Sequence, residues 1–199
     1  KYVSIINSGG FGVVYKYSTH LRHEGQGDYV TVAVKKFLDQ TDPEINIILS
    51  MEEVAFNEGI NSCDIIDARI LLVGTRPLRK HVCIMEYMDG TLLNLTFQYN
   101  LNVNQFKYII KMIAIAFRCI SNAGYCYTDL KPSNILFKKN FDVLTYRLGD
   151  IGSIVRNTTI GYHPSTYPPP EYEIGRNLNN NDNVMIWSIG VLIARLYNF

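Results

Sequence analysis

The strand-forming and helix-forming residues of this chain are segregated along its length. The first third is rich in Val, Ile and Tyr, and around a helix predicted from Pro43 to about Asn61 it favours strands. In the second half, an apolar periodicity predicts a helix from Asn102 or Asn104 to about Asn122, and a last helix begins near Asp182. Strands are predicted at residues 2–6, 13–17, 30–37, 68–73 and 82–87, with short ones near 135–137 and 146–148. Strands followed by helices indicate an α+β fold, with two lobes and a cleft between them.

The amino-acid composition limits the kinds of molecule that this protein is expected to bind. The chain has 199 residues, a formal charge of +1 and 47% hydrophobic residues, so it is not a disordered protein. Its near-neutral charge gives no basis for a nucleic-acid or anionic-membrane partner. The longest apolar run, Ile109 to Ile120, contains Lys111 and Arg118, and no membrane span or signal peptide is expected. The oligomeric state cannot be read from the sequence.

The cysteines indicate a cellular location, and the two ends of the chain indicate that the sequence is a fragment. The four cysteines show no C-x-x-C pair, which predicts reduced thiols and a cytoplasmic protein. Abundant Asn, Ile and Tyr point to an AT-rich genome; if the source is viral, host-cell cytoplasm or a nucleus is the alternative. The chain starts at Lys1 and stops at Phe199 inside an apolar helical pattern, so a fragment or trimmed chain is expected.

A glycine cluster lies between the first two predicted strands. Glycines let backbone N–H groups approach a phosphate closely. The cluster, Ser8-Gly9-Gly10-Phe11-Gly12, lacks the Lys and Ser/Thr of a Walker-type loop. The strand-forming Val13-Val14-Tyr15 follows it instead of the helix that a dinucleotide fingerprint requires. A hairpin folded over a nucleotide fits this order, although glycines between strands are most often only a turn.

Three further segments carry charged or amide side chains. Strand alternation in Val32-Ala33-Val34-Lys35 places Ala33 and Lys35 on one face, and Lys36 on the other. The segment Tyr127 to Asn134 combines an acid, a base and an amide in one loop. Asp150 stands between glycines after a short strand, and Asn134 and Asp150 offer the oxygen ligands that suit Mg²⁺. Each segment alone is a weak signal.

The order of these segments resembles the eukaryotic protein kinase family over essentially the whole chain. The family signature is a Gly-rich loop, V-A-I-K, H-R-D-L-x-x-x-N, D-F-G and A-P-E. The matching segments here are Asn7 to Val14, Val32 to Lys35, Tyr127 to Asn134, Asp150-Ile151-Gly152, Pro169-Pro170-Glu171 and the later Trp187-Ser188-Ile189-Gly190. The resemblance implies a bilobal kinase-like fold with a β-rich N-lobe at 1–87 and a mainly helical C-lobe at 88–199. That C-lobe would be incomplete, because the family continues beyond the long helix containing Trp187.

The resemblance also implies roles for single residues, with ATP and Mg²⁺ as cofactors and a protein as substrate. Lys35 would hold the α- and β-phosphates, paired with a helix glutamate, for which Glu53 is preferred over Glu52 and Glu58. Asp129 would accept the proton of the substrate hydroxyl, and Lys131 would neutralise charge on the transferred phosphoryl group. Asn134 and Asp150 would hold Mg²⁺. The nucleotide-binding set would be Ser8, Gly9, Gly10, Phe11, Gly12, Val14, Ala33, Lys35, Met85, Glu86, Tyr87, Met88, Leu136 and Asp150.

Several positions depart from the family pattern. Asn7 replaces the first glycine of the loop, and Thr128 replaces the arginine that normally grips a phosphate on the activation loop. Activity is therefore expected to need no activation-loop phosphorylation. Ile151 replaces a phenylalanine, and Met185 replaces an aspartate that normally anchors the catalytic loop.

Three functions follow from this reading. The first is an ATP- and Mg²⁺-dependent kinase directed at serine and threonine, for which the form of the loop from Asp129 to Asn134 argues. The second is a pseudokinase acting as a nucleotide-binding or scaffolding module, which Asn7, Thr128 and Met185 favour. The third is a small-molecule kinase, against which Tyr167 and Pro169-Pro170-Glu171 argue, because in the family that segment supports a peptide substrate.

Overall fold

The computed structural model describes residues 1–9, 12–23, 26–58, 68–75, 78–98, 101–141, 143–157, 168–170 and 181–197. The chain divides into two compact units, with the boundary between Met88 and Asp89. The first unit is rich in strands, and the second contains three of the helices. The predicted α+β class is confirmed.

The first unit is built on a five-stranded antiparallel sheet. Its strands are β1 (Tyr2–Gly9), β2 (Gly12–His23), β3 (Gln26–Phe37), β4 (Ala68–Val73) and β5 (Lys80–Glu86), in the order β1-β2-β3-β5-β4. Between β3 and β4 runs helix α1 (Pro43–Glu58). Its Ile45 and Ile48 are buried, as are Phe37, Val82 and Cys83 of the sheet, and together these side chains form the core of the unit. Burial of such side chains from water is the main stabilising term.

The second unit surrounds a long amphipathic helix. Its elements are β6 (Gly90–Thr91), α2 (Leu92–Gln98), α3 (Val103–Asn122), β7 (Tyr125–Tyr127), β8 (Ile135–Asn140), β9 (Val143–Leu148), β10 (Ile154–Arg156) and α4 (Asn181–Tyr197). A three-stranded sheet has the order β6-β8-β9, and β10 pairs with β7. The buried face of α3 consists of Ile109, Met112, Ile113, Ala116, Phe117 and Ile120. The apolar periodicity of the sequence predicts Phe106, Ile109, Ile110, Ile113, Phe117 and Ile120 for this face. Four of them are buried, Phe106 and Ile110 are half-buried, and Met112 and Ala116 complete the buried face.

The ends of α3 show why the helix forms there. The side chain of Asn102 accepts a hydrogen bond from the Gln105 backbone N–H, and the Gln105 side chain accepts one from the Asn102 N–H. This capping box pairs two N–H groups that have no partner within a helix. It selects Asn102 over Asn104 as the N-cap. Gly124, at φ +79, follows the helix and adopts the left-handed conformation that glycine favours after a helix end.

Two further expectations can be compared with the structure. Cys83 and Cys126 are buried and form no disulfide, as predicted, but Cys119 is disulfide-bonded, so the expectation of four reduced thiols is wrong. Among the described residues, no helix is both long enough and apolar enough to span a bilayer.

Candidate active site

The glycine cluster joins β1 and β2 as an antiparallel hairpin. Gly9 pairs with Gly12, while Gly10 and Phe11, both predicted to contact the nucleotide, lie outside the described residues. A Cβ atom at Gly12 would lie 2.5 Å from the Lys36 carbonyl oxygen, so no other residue fits this close approach of two backbones. The strand–glycine–strand prediction is confirmed.

Asn7, at the position of the family's first glycine, hydrogen-bonds within the hairpin. Its side-chain Oδ1 accepts a hydrogen bond of 2.8 Å from the backbone N–H of Ser8. That N–H is one of the backbone donors that a glycine-rich loop can offer to a phosphate. The Asn7 side chain therefore accepts a hydrogen bond from a backbone N–H that was predicted to bind phosphate.

One face of the sheet carries four of the residues predicted for nucleotide binding. Val14 lies opposite Lys35, and Ala33 lies opposite Met85. Directly opposite residues of an antiparallel pair project to the same side, and Ala33 and Lys35 share a side by alternation. Ala33 is buried, and the other three side chains are half-buried. The sheet therefore presents a small apolar surface beside Lys35, and Lys16, directly opposite Ala33, projects to the same side.

The segment after β5 continues from that face. Glu86 ends β5, and Tyr87 and Met88 follow it, all three half-buried. The Lys16 ammonium group lies 4.0 Å from the centre of the Tyr87 ring, within range of a cation–π interaction. Lys36 projects to the opposite face, 4.8 Å from the Tyr15 ring, as strand alternation predicts.

Lys35 forms an ion pair with Glu44. Both side chains are largely buried, at 14% and 9% exposure, and the Lys35 ammonium also lies 5.2 Å from the centre of the Phe37 ring. Glu44 is in the first turn of α1, where Asp42 accepts its backbone N–H at 2.9 Å. The sequence interpretation missed Glu44. The side chain of Glu53, the preferred candidate, lies outside the described residues.

The four residues of the second unit with predicted catalytic or metal-binding roles form one hydrogen-bonded network. Lys131 Nζ donates to Asp129 Oδ2 at 2.5 Å. The Asn134 amide nitrogen lies 2.9 Å from the Asp129 carbonyl oxygen and 3.2 Å from Asp129 Oδ2. The same nitrogen lies 3.3 Å from Asp150 Oδ2. The Asn134 amide group thus contacts side chains from two loops that are separated in sequence.

The local backbone brings these side chains together. Pro132–Asn134 forms one helical turn, which ends in a bond from the Asn134 N–H to the Lys131 carbonyl. Gly149 then donates its N–H to the Asn134 carbonyl at 2.8 Å. A Cβ at Gly149 would lie 2.8 Å from Leu136 Cδ1 and 3.3 Å from that same carbonyl oxygen, so a side chain here would displace Leu136.

The network contains the donor set that a magnesium ion prefers. Asp150 supplies a carboxylate, and the Asn134 amide nitrogen is directed at carboxylate and carbonyl oxygens, which leaves Oδ1 as its ligand atom. Mg²⁺ takes oxygen ligands, usually from one or two side chains together with water and phosphate. These residues therefore fit the ion.

Tyr127 and Thr128, the two residues before Asp129, form hydrogen bonds to the segment around Asp150. The Tyr127 hydroxyl donates to the Gly149 carbonyl at 2.8 Å, and Tyr127 is fully buried. Thr128 donates both its backbone N–H, at 3.0 Å, and its hydroxyl, at 2.7 Å, to the Ser153 carbonyl. The sequence interpretation treated Thr128 only as the loss of an arginine and did not find these bonds.

Comparison with models of known protein families identifies the family of this chain. The model of the protein kinase domain matches residues 1–199. The chain belongs to the protein kinase family.

Several curated kinases are similar to this chain. It is 26% identical to the dual specificity tyrosine-phosphorylation-regulated kinase 2 of Drosophila melanogaster, over 98% of the chain and 27% of that protein. It is 25% identical to the stress-activated protein kinase JNK of Suberites domuncula, over 92% of the chain and 55% of that protein. A putative serine/threonine-protein kinase/receptor of Acanthamoeba polyphaga mimivirus is 30% identical over 94% of the chain and 11% of its own length. The chain therefore spans between about a tenth and a little over half of these relatives.

This kinase chain departs from the family pattern at a buried position of α4. Met185, where an aspartate is expected, is 3% exposed, and its carbonyl accepts the Ser188 hydroxyl at 2.7 Å. An apolar side chain at this position packs into the core instead of hydrogen-bonding to the catalytic loop. The bonds from Tyr127 and Thr128 hold that loop here.

Proposed function

We propose that this chain is an ATP- and Mg²⁺-dependent protein kinase that phosphorylates serine or threonine hydroxyls. The observation that carries the proposal is the network of Asp129, Lys131, Asn134 and Asp150, which places an acid, a cation and two oxygen ligands within one set of hydrogen bonds. Asp129, Asn134 and Asp150 match fixed positions of the family's catalytic signature, and the resemblance assigns Lys131 its role within the same loop.

The roles of these residues follow from their chemistry. Asp129 would orient the substrate hydroxyl and accept its proton as the oxygen attacks the γ-phosphorus. Lys131, already in contact with Asp129, would balance the negative charge of the phosphoryl group in transfer. Asn134 Oδ1 and the Asp150 carboxylate would hold Mg²⁺, which neutralises phosphate charge when bound.

The first unit would supply the nucleotide-binding groups. Lys35 would contact the α- and β-phosphates, and its ion pair with Glu44 would fix the direction of the ammonium group. The shared sheet face of Val14, Ala33 and Met85 would cover the adenine ring, and the backbone of Glu86 to Met88 would pair with its edge. The place of Leu136, in the second unit, in the nucleotide-binding set stays a prediction from the family resemblance.

The choice of serine or threonine depends on the form of the catalytic loop. The stretch from Asp129 to Asn134 resembles that of serine/threonine kinases. One of the relatives is a putative serine/threonine kinase by name, whereas another is a dual-specificity kinase. A protein substrate is favoured over a small molecule because the whole chain matches the protein kinase domain.

A pseudokinase acting as a nucleotide-binding or scaffolding module is the second candidate. Two observations favour it. Met185 is buried at a position where the family has an aspartate. The Asn7 side chain accepts the Ser8 N–H, a donor that a phosphate would otherwise use. The presence of the complete charge set in this chain favours an enzyme, because scaffolding alone does not require these four side chains.

The first test is a thermal melt with ATP, with and without Mg²⁺. Ligand at about 100 times its Kd should add about 2.7 kcal/mol to the unfolding free energy. For a chain of this length the midpoint should rise by roughly 5–10 °C. Asp150→Asn should remove the Mg²⁺-dependent part of this shift, and Asp39→Asn, at an exposed aspartate outside the network, should not.

The second test separates the enzyme from the scaffold. Asp129→Asn should abolish phosphoryl transfer to a mixture of serine, threonine and tyrosine peptides while leaving the ATP-induced shift of the melt unchanged. Wild-type chain that binds Mg²⁺ and ATP but transfers no phosphate to any peptide would support the pseudokinase. A melt that ATP does not move would overturn both candidates as nucleotide-binding proteins.

A further inference from the structure

We propose that Thr128 and Ser153 are positioning residues for Asp150, and that they assemble its half of the metal site without any phosphate group. The inference rests on the proposed function, since it assigns Asp150 to the cation. It concerns a relay of hydroxyl groups that runs from the catalytic loop, through Ser153, to the Asp150 carboxylate.

The relay consists of four hydrogen bonds. Thr128 donates its hydroxyl and its backbone N–H to the Ser153 carbonyl, at 2.7 Å and 3.0 Å. Ser153 in turn donates its hydroxyl to Asp150 Oδ2 at 2.7 Å and its N–H to the Asp150 carbonyl at 3.0 Å. Thr128 and Ser153 are 5% and 7% exposed, so water competes little for the two bonds between them.

Asp150 needs such support because of its own backbone. Its φ of 51° and ψ of 66° place it in the left-handed region, which L-residues other than glycine rarely adopt. Unlike Ser153, Asp150 is solvent-exposed. The bond from Ser153 to the Asp150 carbonyl holds the backbone, and the bond from the Ser153 hydroxyl holds the side chain.

The carboxylate is held by one of its two oxygens. Oδ2 accepts from the Ser153 hydroxyl and lies 3.3 Å from the Asn134 amide nitrogen. A cation can then bind through the other oxygen, Oδ1, with the carboxylate already oriented. Preorganised ligands raise affinity because less rotational freedom is lost on binding.

The relay contains only hydroxyl and backbone groups besides the carboxylate that it orients. Thr128 is bonded to a neutral carbonyl, so this link requires no ionised partner on the following segment. A phosphate link would depend on charge and on a modifying enzyme. We infer that the Mg²⁺–nucleotide site of this chain is assembled in its unmodified state.

Two single-atom substitutions isolate the relay. Ser153→Ala removes the hydroxyl that contacts Asp150 and retains both backbone bonds of residue 153. Thr128→Val removes the hydroxyl bond and retains the backbone N–H bond to the same carbonyl. Ser153→Thr and Thr128→Ser keep the hydroxyl and serve as conservative rescues, and Ser50→Ala, in α1, is the matched control.

The experiment measures nucleotide affinity by calorimetry, at increasing Mg²⁺ and with a non-hydrolysable ATP analogue. Mg²⁺ increases nucleotide affinity by a certain factor in the wild type, and in Ser153→Ala this factor should be about tenfold smaller. A loss of this size is usual when a hydrogen bond to a charged group is removed. Affinity without Mg²⁺ should not change, and Ser153→Thr should restore the gain. Thr128→Val should show a smaller loss in the same direction. A general loss of folding would instead lower affinity with and without the ion.

The outcomes separate this inference from the proposed function. Wild-type affinity that does not respond to Mg²⁺ would overturn the proposed function and the inference with it. A clear response in wild type that Ser153→Ala retains in full would overturn the inference alone. Phosphatase treatment of the wild-type chain should leave the Mg²⁺ response unchanged, and a loss of that response would contradict assembly without phosphate.

Discussion

Lys35 of β3 is ion-paired with Glu44, which lies in the first turn of α1 and nine residues further along the chain. The helix start explains the position of the glutamate, because Asp42 accepts the Glu44 N–H and Pro43 begins the helix. A negative side chain is also favourable in a first helical turn, where the unpaired N–H groups are positive. The pair therefore links the strand lysine to the beginning of the helix, nine residues before the glutamate that sequence spacing suggested.

Glu44→Gln should destabilise the chain and impair nucleotide binding. It leaves Lys35 largely buried without this carboxylate, and breaking a buried ion pair typically costs about 3–5 kcal/mol. Because the two side chains retain some exposure, we expect about 3 kcal/mol in urea unfolding, and a several-fold rise in the KM for ATP.

Glu53→Gln is the matched control for this change. We expect it to behave like wild type in both measurements. If Glu53→Gln raised the KM for ATP and Glu44→Gln did not, then Glu53 would be the working partner of Lys35, as sequence spacing predicts.

The sequence predicts the larger elements because each has a clear pattern. Alternation in β3 placed Ala33 and Lys35 on one face, and β4 runs from Ala68 to Val73 as predicted. The apolar periodicity of α3 predicted most of its buried face. Its N-cap could also have been chosen from sequence, since Asn102 and Gln105 have the spacing of a capping box.

The short strand pairings and the contacts within the site depend on tertiary structure, which no local sequence pattern encodes. The pairing of β7 with β10 joins strands of only three residues, which are too short to show alternation. The family resemblance predicts roles for Asp129, Lys131, Asn134 and Asp150, but it does not predict the hydrogen bonds among them. The partner of Lys35 depends on where α1 packs against the sheet, which is a tertiary property.

Asn7→Ala should strengthen ATP binding. It removes the side-chain oxygen that accepts the Ser8 N–H, and so frees that donor for a phosphate. One hydrogen bond of ordinary net strength corresponds to about a threefold lower Kd for ATP, measurable by calorimetry. Asn7→Asp keeps an acceptor and adds a negative charge, so it should weaken binding. Equal affinities for the three chains would show that the Ser8 N–H does not meet the nucleotide.

Phe141→Asn should stabilise the second unit. Phe141 follows β8 with a φ of 54° and is 95% exposed, so its ring contributes almost no packing. The left-handed conformation costs most residues about 1–2 kcal/mol, and Asn tolerates it better. We expect a midpoint roughly 2–4 °C higher in thermal unfolding. Phe141→Ala keeps the backbone penalty and should give no gain, so an equal rise in both variants would attribute the effect to the exposed ring.

Tyr146 of β9 has a buried hydroxyl group for which the described residues provide no hydrogen-bond partner. Its ring is 1% exposed and lies 6.0 Å from that of Tyr108. Tyr146→Phe keeps the packing of the ring and removes the unpaired group, so we expect the unfolding free energy to rise by about 1 kcal/mol.

The same substitution should change how stability depends on pH. Burial, and to a smaller extent Tyr108, raises the pKa of Tyr146 above its ordinary value of 10.0. The unfolded chain therefore loses this proton at a lower pH than the folded chain, and stability falls as the pH rises above about 10. Tyr146→Phe should flatten this alkaline decline in urea unfolding series, whereas Tyr108→Phe, at a half-exposed ring, should largely retain it. A decline of equal slope in wild type and Tyr146→Phe would show that the Tyr146 hydroxyl is solvated in the folded chain.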